Sequence, residues 1–184
     1  MEIYYGPMYS GKTEHLIEKV KEIIAEDKKC LVVKYLHDVR YGAKERLSSK
    51  SGLFLESGKF VRLVPTTILP HVMPDEEYIF IDEGQFYDEI FQYCIDWLAL
   101  GKKIYITSLS GDYKKNNFGN IYKLLPHCDK IHHLLSDCYY CFKPNGAAFT
   151  CKIVQSDDLV DIGSEEKYRA TCRACYDKYK ALSN

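Results

Sequence analysis

"GPMYSGKT", residues 6–13, decides how this chain folds. It carries Gly6, Gly11, Lys12 and Thr13 at the fixed positions of G-x-x-x-x-G-K-[ST], a loop whose backbone N–H groups cradle phosphates. Such a loop needs a strand before it and a helix after it. "EIYY" (2–5) is short and strand-like. "TEHLIEKVKEIIAED" (13–27) places Leu16, Ile17, Val20, Ile23 and Ile24 at helical spacing, with charges opposite. Downstream, "CLVVKYL" (30–36), "YIFID" (78–82), "KIYITSL" (103–109) and "KIHHLL" (130–135) read as strands, and "IFQYCIDWLAL" (90–100) as a helix. This alternation predicts an α/β fold, a P-loop parallel sheet flanked by helices. Residues 38–59 and 110–120 read as loops, and the first is long enough to suggest a functional role.

The chemistry follows from the loop. Gly6, Pro7, Met8, Tyr9, Ser10, Gly11, Lys12 and Thr13 are expected to hold the phosphates of a nucleotide against a helix N-terminus. Lys12 adds a point charge near the β and γ phosphates, and Thr13 a hydroxyl ligand for Mg²⁺. Asp82 ends a buried strand, where Mg²⁺ coordination belongs in such a site. Glu83 stands beside it as a base for the attacking group, which is water in an ATPase and a hydroxyl in a kinase. Arg40, in "DVRY", is placed to lie across the transferring phosphoryl group.

After Cys138 the texture changes. "CYYC" (Cys138, Cys141) and "CRAC" (Cys172, Cys175) bracket residues 142–171, which hold short β-like runs and no long helical pattern. Two C-x-x-C pairs favour a four-thiolate Zn²⁺ site, closed and therefore structural. Free or redox-active thiols are the other reading. The division expected is an ATP-binding α/β domain over 1–137 and a zinc-binding lasso domain over 138–184, closed by a short helix from Arg173. Cys30, Cys94, Cys128 and Cys151 read as small buried hydrophobes.

The composition excludes several classes. The 184 residues are 46% apolar with a formal net charge of −1, which argues against a nucleic-acid partner. No apolar run approaches the roughly 18 residues of a membrane span. The phosphate motif begins at residue 6, which leaves no room for a signal peptide, so a cytoplasmic protein is expected.

"GPMYSGKTEHLI", "KYLHDVRY", "IDEGQF", "FGN" and "IGSEEKYRATCRACY" together resemble the type II thymidine kinases, over residues 1 to about 180. The resemblance implies transfer of the γ-phosphate of ATP to the 5′-hydroxyl of thymidine, and of deoxyuridine, for nucleotide salvage and DNA synthesis. It makes Glu83 the general base and Arg40 a helper at the phosphoryl group. It places the nucleoside among Met8, Phe86, Tyr113, Phe118 and Tyr168, under lasso main chain at Leu159, Val160, Asp161, Ile162 and Gly163. Homotetramers and feedback inhibition by dTTP are implied on the same ground. One methyl in a pocket is worth only about 1–3 kcal/mol, so rejection of deoxycytidine should rest instead on main-chain hydrogen bonds to the base. Tyr9, Lys50, Ser110, Tyr113 and Asp161 depart from the family's common residues, and none of them removes a catalytic group.

Two other functions share these motifs. A nucleic-acid-dependent ATPase with a zinc ribbon would need a basic groove. A nucleotide sensor that only binds would have no need of Glu83.

Overall fold

The computed structural model describes residues 1–38, 45–69, 74–154 and 166–179. In chain order these residues form β1 (Glu2–Gly6), α1 (Lys12–Ala25), β2 (Cys30–Tyr35), β3 (Arg46–Ser48), β4 (Phe54–Glu56) and β5 (Val61–Thr66). Then come β6 (Tyr78–Ile81), α2 (Ile90–Ala99), β7 (Lys103–Leu109), β8 (Lys130–His133), β9 (Phe149–Lys152), β10 (Tyr168–Thr171) and α3 (Arg173–Tyr179).

Six strands make one parallel sheet in the order β5-β2-β6-β7-β1-β8. Its two faces are read directly from alternation along the strands. Ile79 and Ile81 of β6 join Leu31, Val33, Ile104 and Ile106 in a core closed by Ile90, Cys94 and Trp97 of α2. Tyr78 and Phe80 point the other way, into a core closed by Leu16, Ile17, Val20 and Ile23 of α1. A parallel sheet covered on both faces yields strands that are apolar throughout, and all four residues of β6 are buried. Asp82 and Glu83 therefore emerge at the C-terminal edge of a central strand, and the P-loop emerges at the same edge from β1, where an open α/β sheet binds its ligands.

One reading of the sequence needs correction, and one strand has no reading at all. Residues 45–59 are not simply loop. β3 and β4 pair antiparallel there, with Leu47 opposite Leu55 and both buried against the α1 face. Strands of three residues are too short to show a period. β5 carries no clear sequence signal because Pro65 interrupts it, yet it pairs with β2 at the sheet's edge, where proline is tolerated.

Beyond Cys138, β9 and β10 form a two-stranded antiparallel sheet and α3 follows at once. Cys30, Cys94 and Cys151 are buried and Cys128 partly so. Burial pushes all four thiols above their ordinary range, Cys30 and Cys128 to about 11, which suits inert packing residues.

Candidate functional site

The P-loop leaves β1 at Gly6 and enters α1 at Lys12. Gly11 sits at φ 77°, a left-handed turn that glycine makes without steric cost and that swings the chain into the helix. The loop is braced from inside, since Ser10 Oγ and Lys12 Nζ both donate to the Pro7 carbonyl, at 2.9 and 2.6 Å. It is also tied to β9 and β10. The Met8 N–H donates to Thr150 Oγ1 at 3.0 Å, and the Tyr9 hydroxyl donates to the Tyr168 carbonyl at 3.3 Å. A cavity of about 360 Å³ opens over this loop, lined among others by Met8, Lys12, Thr13 and Glu83.

The turn between β3 and β4 forms another wall of that cavity, through Ser49, Lys50 and Ser51. Ser51 Oγ donates to Glu14 Oε1 at 2.8 Å, and Lys50 Nζ stands 4.8 Å from the centre of the Tyr9 ring. Part of the segment read as a loop thus borders the cavity over the P-loop.

The two carboxylates are buried, with Asp82 1% and Glu83 7% exposed. Asp82 Oδ1 accepts from Thr13 Oγ1 at 3.1 Å and from Thr107 Oγ1 at 2.5 Å. The hydroxyl of Thr13 and the carboxylate of Asp82 are hard oxygen donors converging beside the loop, a set that suits a small hard cation such as Mg²⁺. Thr107 also accepts the Glu83 N–H at 3.1 Å, so one hydroxyl organises both acids. Glu83 itself has φ 54° and ψ 48°, a left-handed backbone rare for a residue with a side chain. Gln85 Nε2 donates to Glu83 Oε2 at 2.6 Å. The phenol of Tyr87 lies nearby; burial first, then the charges of Asp82 and Glu83, raise it well above the usual range.

Four of the side chains expected around the nucleoside lie beyond Glu83 on the P-loop, on the turn after β6 and on the 110–120 loop. Phe86 and Phe118 meet edge to face with centroids 5.5 Å apart, and Tyr35 stacks on Phe86 at 4.3 Å. Phe86, Tyr113 and Phe118 are half-buried, and Met8 is buried. Asp112 shapes the loop, since its Oδ1 accepts the N–H groups of Lys114 and Asn116 at 2.8 Å each. At Gly119, φ 65°, a Cβ would stand 2.3 Å from the Gln85 carbonyl oxygen; only glycine lets this loop lie on the turn that carries Gln85. Tyr168, the fifth, is buried on β10.

Cys138, Cys141, Cys172 and Cys175 converge, with all four Sγ atoms within 4.8 Å of one another. Cys141 Sγ and Cys172 Sγ are 3.8 Å apart, the edge of a tetrahedron with Zn–S bonds of about 2.3 Å. Burial opposes ionisation of Cys138, but the N–H groups of Cys141, Cys172 and Tyr140 outweigh it and bring the thiol down to about 6. Burial and the neighbouring thiols push Cys175 up to about 12. Four thiols this close cannot all ionise without a cation between them, so the donor set fits zinc. The cluster's small core, Cys138, Ala147 and Ala170, also packs Tyr9 of the P-loop.

Arg40 and Leu159, Val160, Asp161, Ile162 and Gly163 lie outside the described residues. Gln85, Thr107 and Tyr35 belong to the site without having been legible as functional. Gln85 follows the acid pair by two residues, but Thr107 and Tyr35 lie on separate strands and meet the site only through the sheet. Among the described residues, no helix is long and apolar enough to cross a membrane.

A family model described as thymidine kinase matches residues 1–176. The thymidine kinase of Fowlpox virus (strain NVSL) is 33% identical over 181 residues, covering 96% of each chain. Thymidine kinase 1 of Dictyostelium discoideum is 35% identical over 179 residues, covering 96% of this chain and 77% of its own. The cytosolic thymidine kinase of Bos taurus is 32% identical over 182 residues, covering 97% of this chain and 72% of its own.

Proposed function

Because this chain belongs to the thymidine kinase family, we propose that it phosphorylates thymidine at the 5′-hydroxyl, with ATP as donor. The observation that carries the reading is the meeting, at one cavity, of Lys12, Thr13 and Glu83, with Asp82 bonded to Thr13 beneath them. Lys12 and the P-loop N–H groups hold the β and γ phosphates. Thr13 and Asp82 would hold Mg²⁺, which neutralises charge on the phosphates when bound. Glu83 accepts the proton of the 5′-hydroxyl as its oxygen bonds to the γ phosphorus. The bond from that phosphorus to the β–γ bridging oxygen breaks, and ADP and the 5′-monophosphate remain. A pure binding protein would gain nothing from a carboxylate held in Glu83's unfavourable backbone.

Met8, Phe86, Phe118, Tyr113 and Tyr168 would surround the nucleoside, with Arg40 and lasso residues 159–163 completing the site. Deoxyuridine differs from thymidine by one methyl and would also be a substrate, whereas deoxycytidine inverts a donor and an acceptor on the base edge. Feedback by dTTP is implied by the resemblance, and such a molecule would offer a base to the proposed nucleoside side and phosphates to the P-loop. The zinc cluster is structural, with every ligand position taken by sulfur. Residues 1–137 as the ATP-binding domain, 138–184 as the lasso domain, a homotetramer and a cytoplasmic location complete the reading, the homotetramer resting on the resemblance alone.

The test is Mg-ATP turnover with thymidine, deoxyuridine, deoxycytidine, single-stranded DNA and buffer. Formation of the 5′-monophosphates of thymidine and deoxyuridine, with deoxycytidine inert, is the expected result. ADP release indifferent to nucleosides but raised by DNA would overturn it in favour of an ATPase.

A further inference from the structure

We infer that Gln85 is a positioning residue, which holds the carboxylate of Glu83 in its working orientation. The inference rests on the proposed kinase reaction, in which Glu83 is the base.

Residues two apart in an extended chain stand on the same face but about 7 Å apart. Here a tight turn brings them together. Glu83 takes its left-handed backbone, the Phe86 N–H donates to the Glu83 carbonyl at 3.1 Å, and the Gln85 side chain folds back onto Glu83. The amide has one possible orientation. Its Oε1 accepts the N–H of Leu109 at 3.1 Å, so the end that meets Glu83 Oε2, at 2.6 Å, must be the N–H₂ donor. Gln85 is 2% exposed, so water does not compete for either bond.

Leu109 is an informative anchor. It ends β7, and the next residue's N–H, that of Ser110, donates to the Gly6 carbonyl at 3.1 Å. The chain of bonds thus runs from the first residue of the P-loop, through the end of β7, to Gln85 and then to the Glu83 carboxylate. A base must meet its proton within hydrogen-bond reach while the phosphates are held elsewhere, and a misplacement of about 1 Å costs on the order of 10²-fold in rate. This relay references the base to the phosphate loop. Lys12, Lys50, Asp38 and Glu14 line the same cavity and Asp82 is adjacent, so charges of both signs surround Glu83. Gln85 provides it with a directed neutral donor.

The experiment is a double-mutant cycle of Gln85→Leu with Glu83→Gln in the full chain, with Gln85→Glu as a second variant that keeps the side chain's size. The readouts are kcat, the KM for thymidine, affinity for a non-hydrolysable ATP analogue, and Tm. Gln85→Leu is expected to lower kcat about 10- to 100-fold, with KM and analogue affinity within about threefold. Gln85→Glu, which sets an oxygen against Oε2, should lower kcat at least as much. In the Glu83→Gln background, followed with labelled thymidine over hours, Gln85→Leu should cost less than about twofold, because the carboxylate it acts through is gone. An equal loss in both backgrounds, or wild-type kcat in both folded Gln85 variants, would overturn the inference. Wild-type kcat in Glu83→Gln alone would instead remove Glu83 as the base, a separate failure.

Discussion

The hydroxyl of Tyr176 donates a hydrogen bond to the main-chain carbonyl of Tyr113 at 2.5 Å. Tyr176 follows Cys175 directly on α3, and Tyr113 lies in the loop after β7. One bond therefore joins α3, which begins beside Cys172 and holds Cys175 of the four clustered cysteines, to the loop proposed to border the nucleoside. Replacing Tyr176 by Phe should raise the KM for thymidine about 2- to 10-fold, the worth of one such bond, and leave affinity for an ATP analogue nearly unchanged. Steady-state kinetics with each substrate varied in turn would check this. An equal loss for both substrates would mean that the tie steadies the whole protein rather than one loop.

Removal of zinc by chelation should act in the same direction and more strongly. Tyr176 follows Cys175 and its N–H donates to the Cys172 carbonyl, and the cluster packs Tyr9, so thymidine binding should weaken before the α/β core melts. Calorimetric titration of verified metal-free protein, compared with its thermal unfolding curve, is the measurement. Unchanged thymidine affinity would disprove the link.

Replacing Glu83 by Gln should lower kcat by roughly 10²- to 10⁴-fold, the usual worth of a general base, with nucleotide affinity nearly intact. Rapid-quench measurement of the chemical step would separate this from slow product release. Activity close to wild type would exclude Glu83 as the base.

Thr107→Val removes a donor from the carboxylate of Asp82 and an acceptor from the N–H of Glu83, both buried. The expected cost is about 1.5–3 kcal/mol, seen as a Tm lower by about 3–12 °C, together with a higher Mg²⁺ requirement. Thr107→Ser keeps the hydroxyl and should recover most of both. A serine variant as impaired as the valine one would mean that the methyl group's packing matters more than the bonds.

The legible parts of this protein are those with local periods or local spacing. β1, the P-loop and α1 declare themselves because one motif joins them, and Asp82 and Glu83 because they end an apolar run. The four cysteines declare themselves by C-x-x-C spacing, which brings each pair to one end of the cluster. The illegible parts depend on distance through space. β5 shows little because Pro65 breaks its pattern, and only its position at the sheet's edge makes the proline acceptable. β3 and β4 show little because three residues each cannot display a period. Thr107 reads as one more polar residue in an apolar strand. Its meaning comes from β6 lying beside β7, which places it between the two acids.

The left-handed backbone of Glu83 has an evolutionary consequence. A residue with a Cβ gives up on the order of 1–2 kcal/mol to remain there, and glycine would not. Durability and turnover thus pull this position in opposite directions. A library screened for heat resistance alone should tolerate glycine or asparagine at position 83, the relieved backbone offsetting the bond lost from Gln85, and return folded, inert proteins. Only a screen that also demands product will keep the acid in its uncomfortable place.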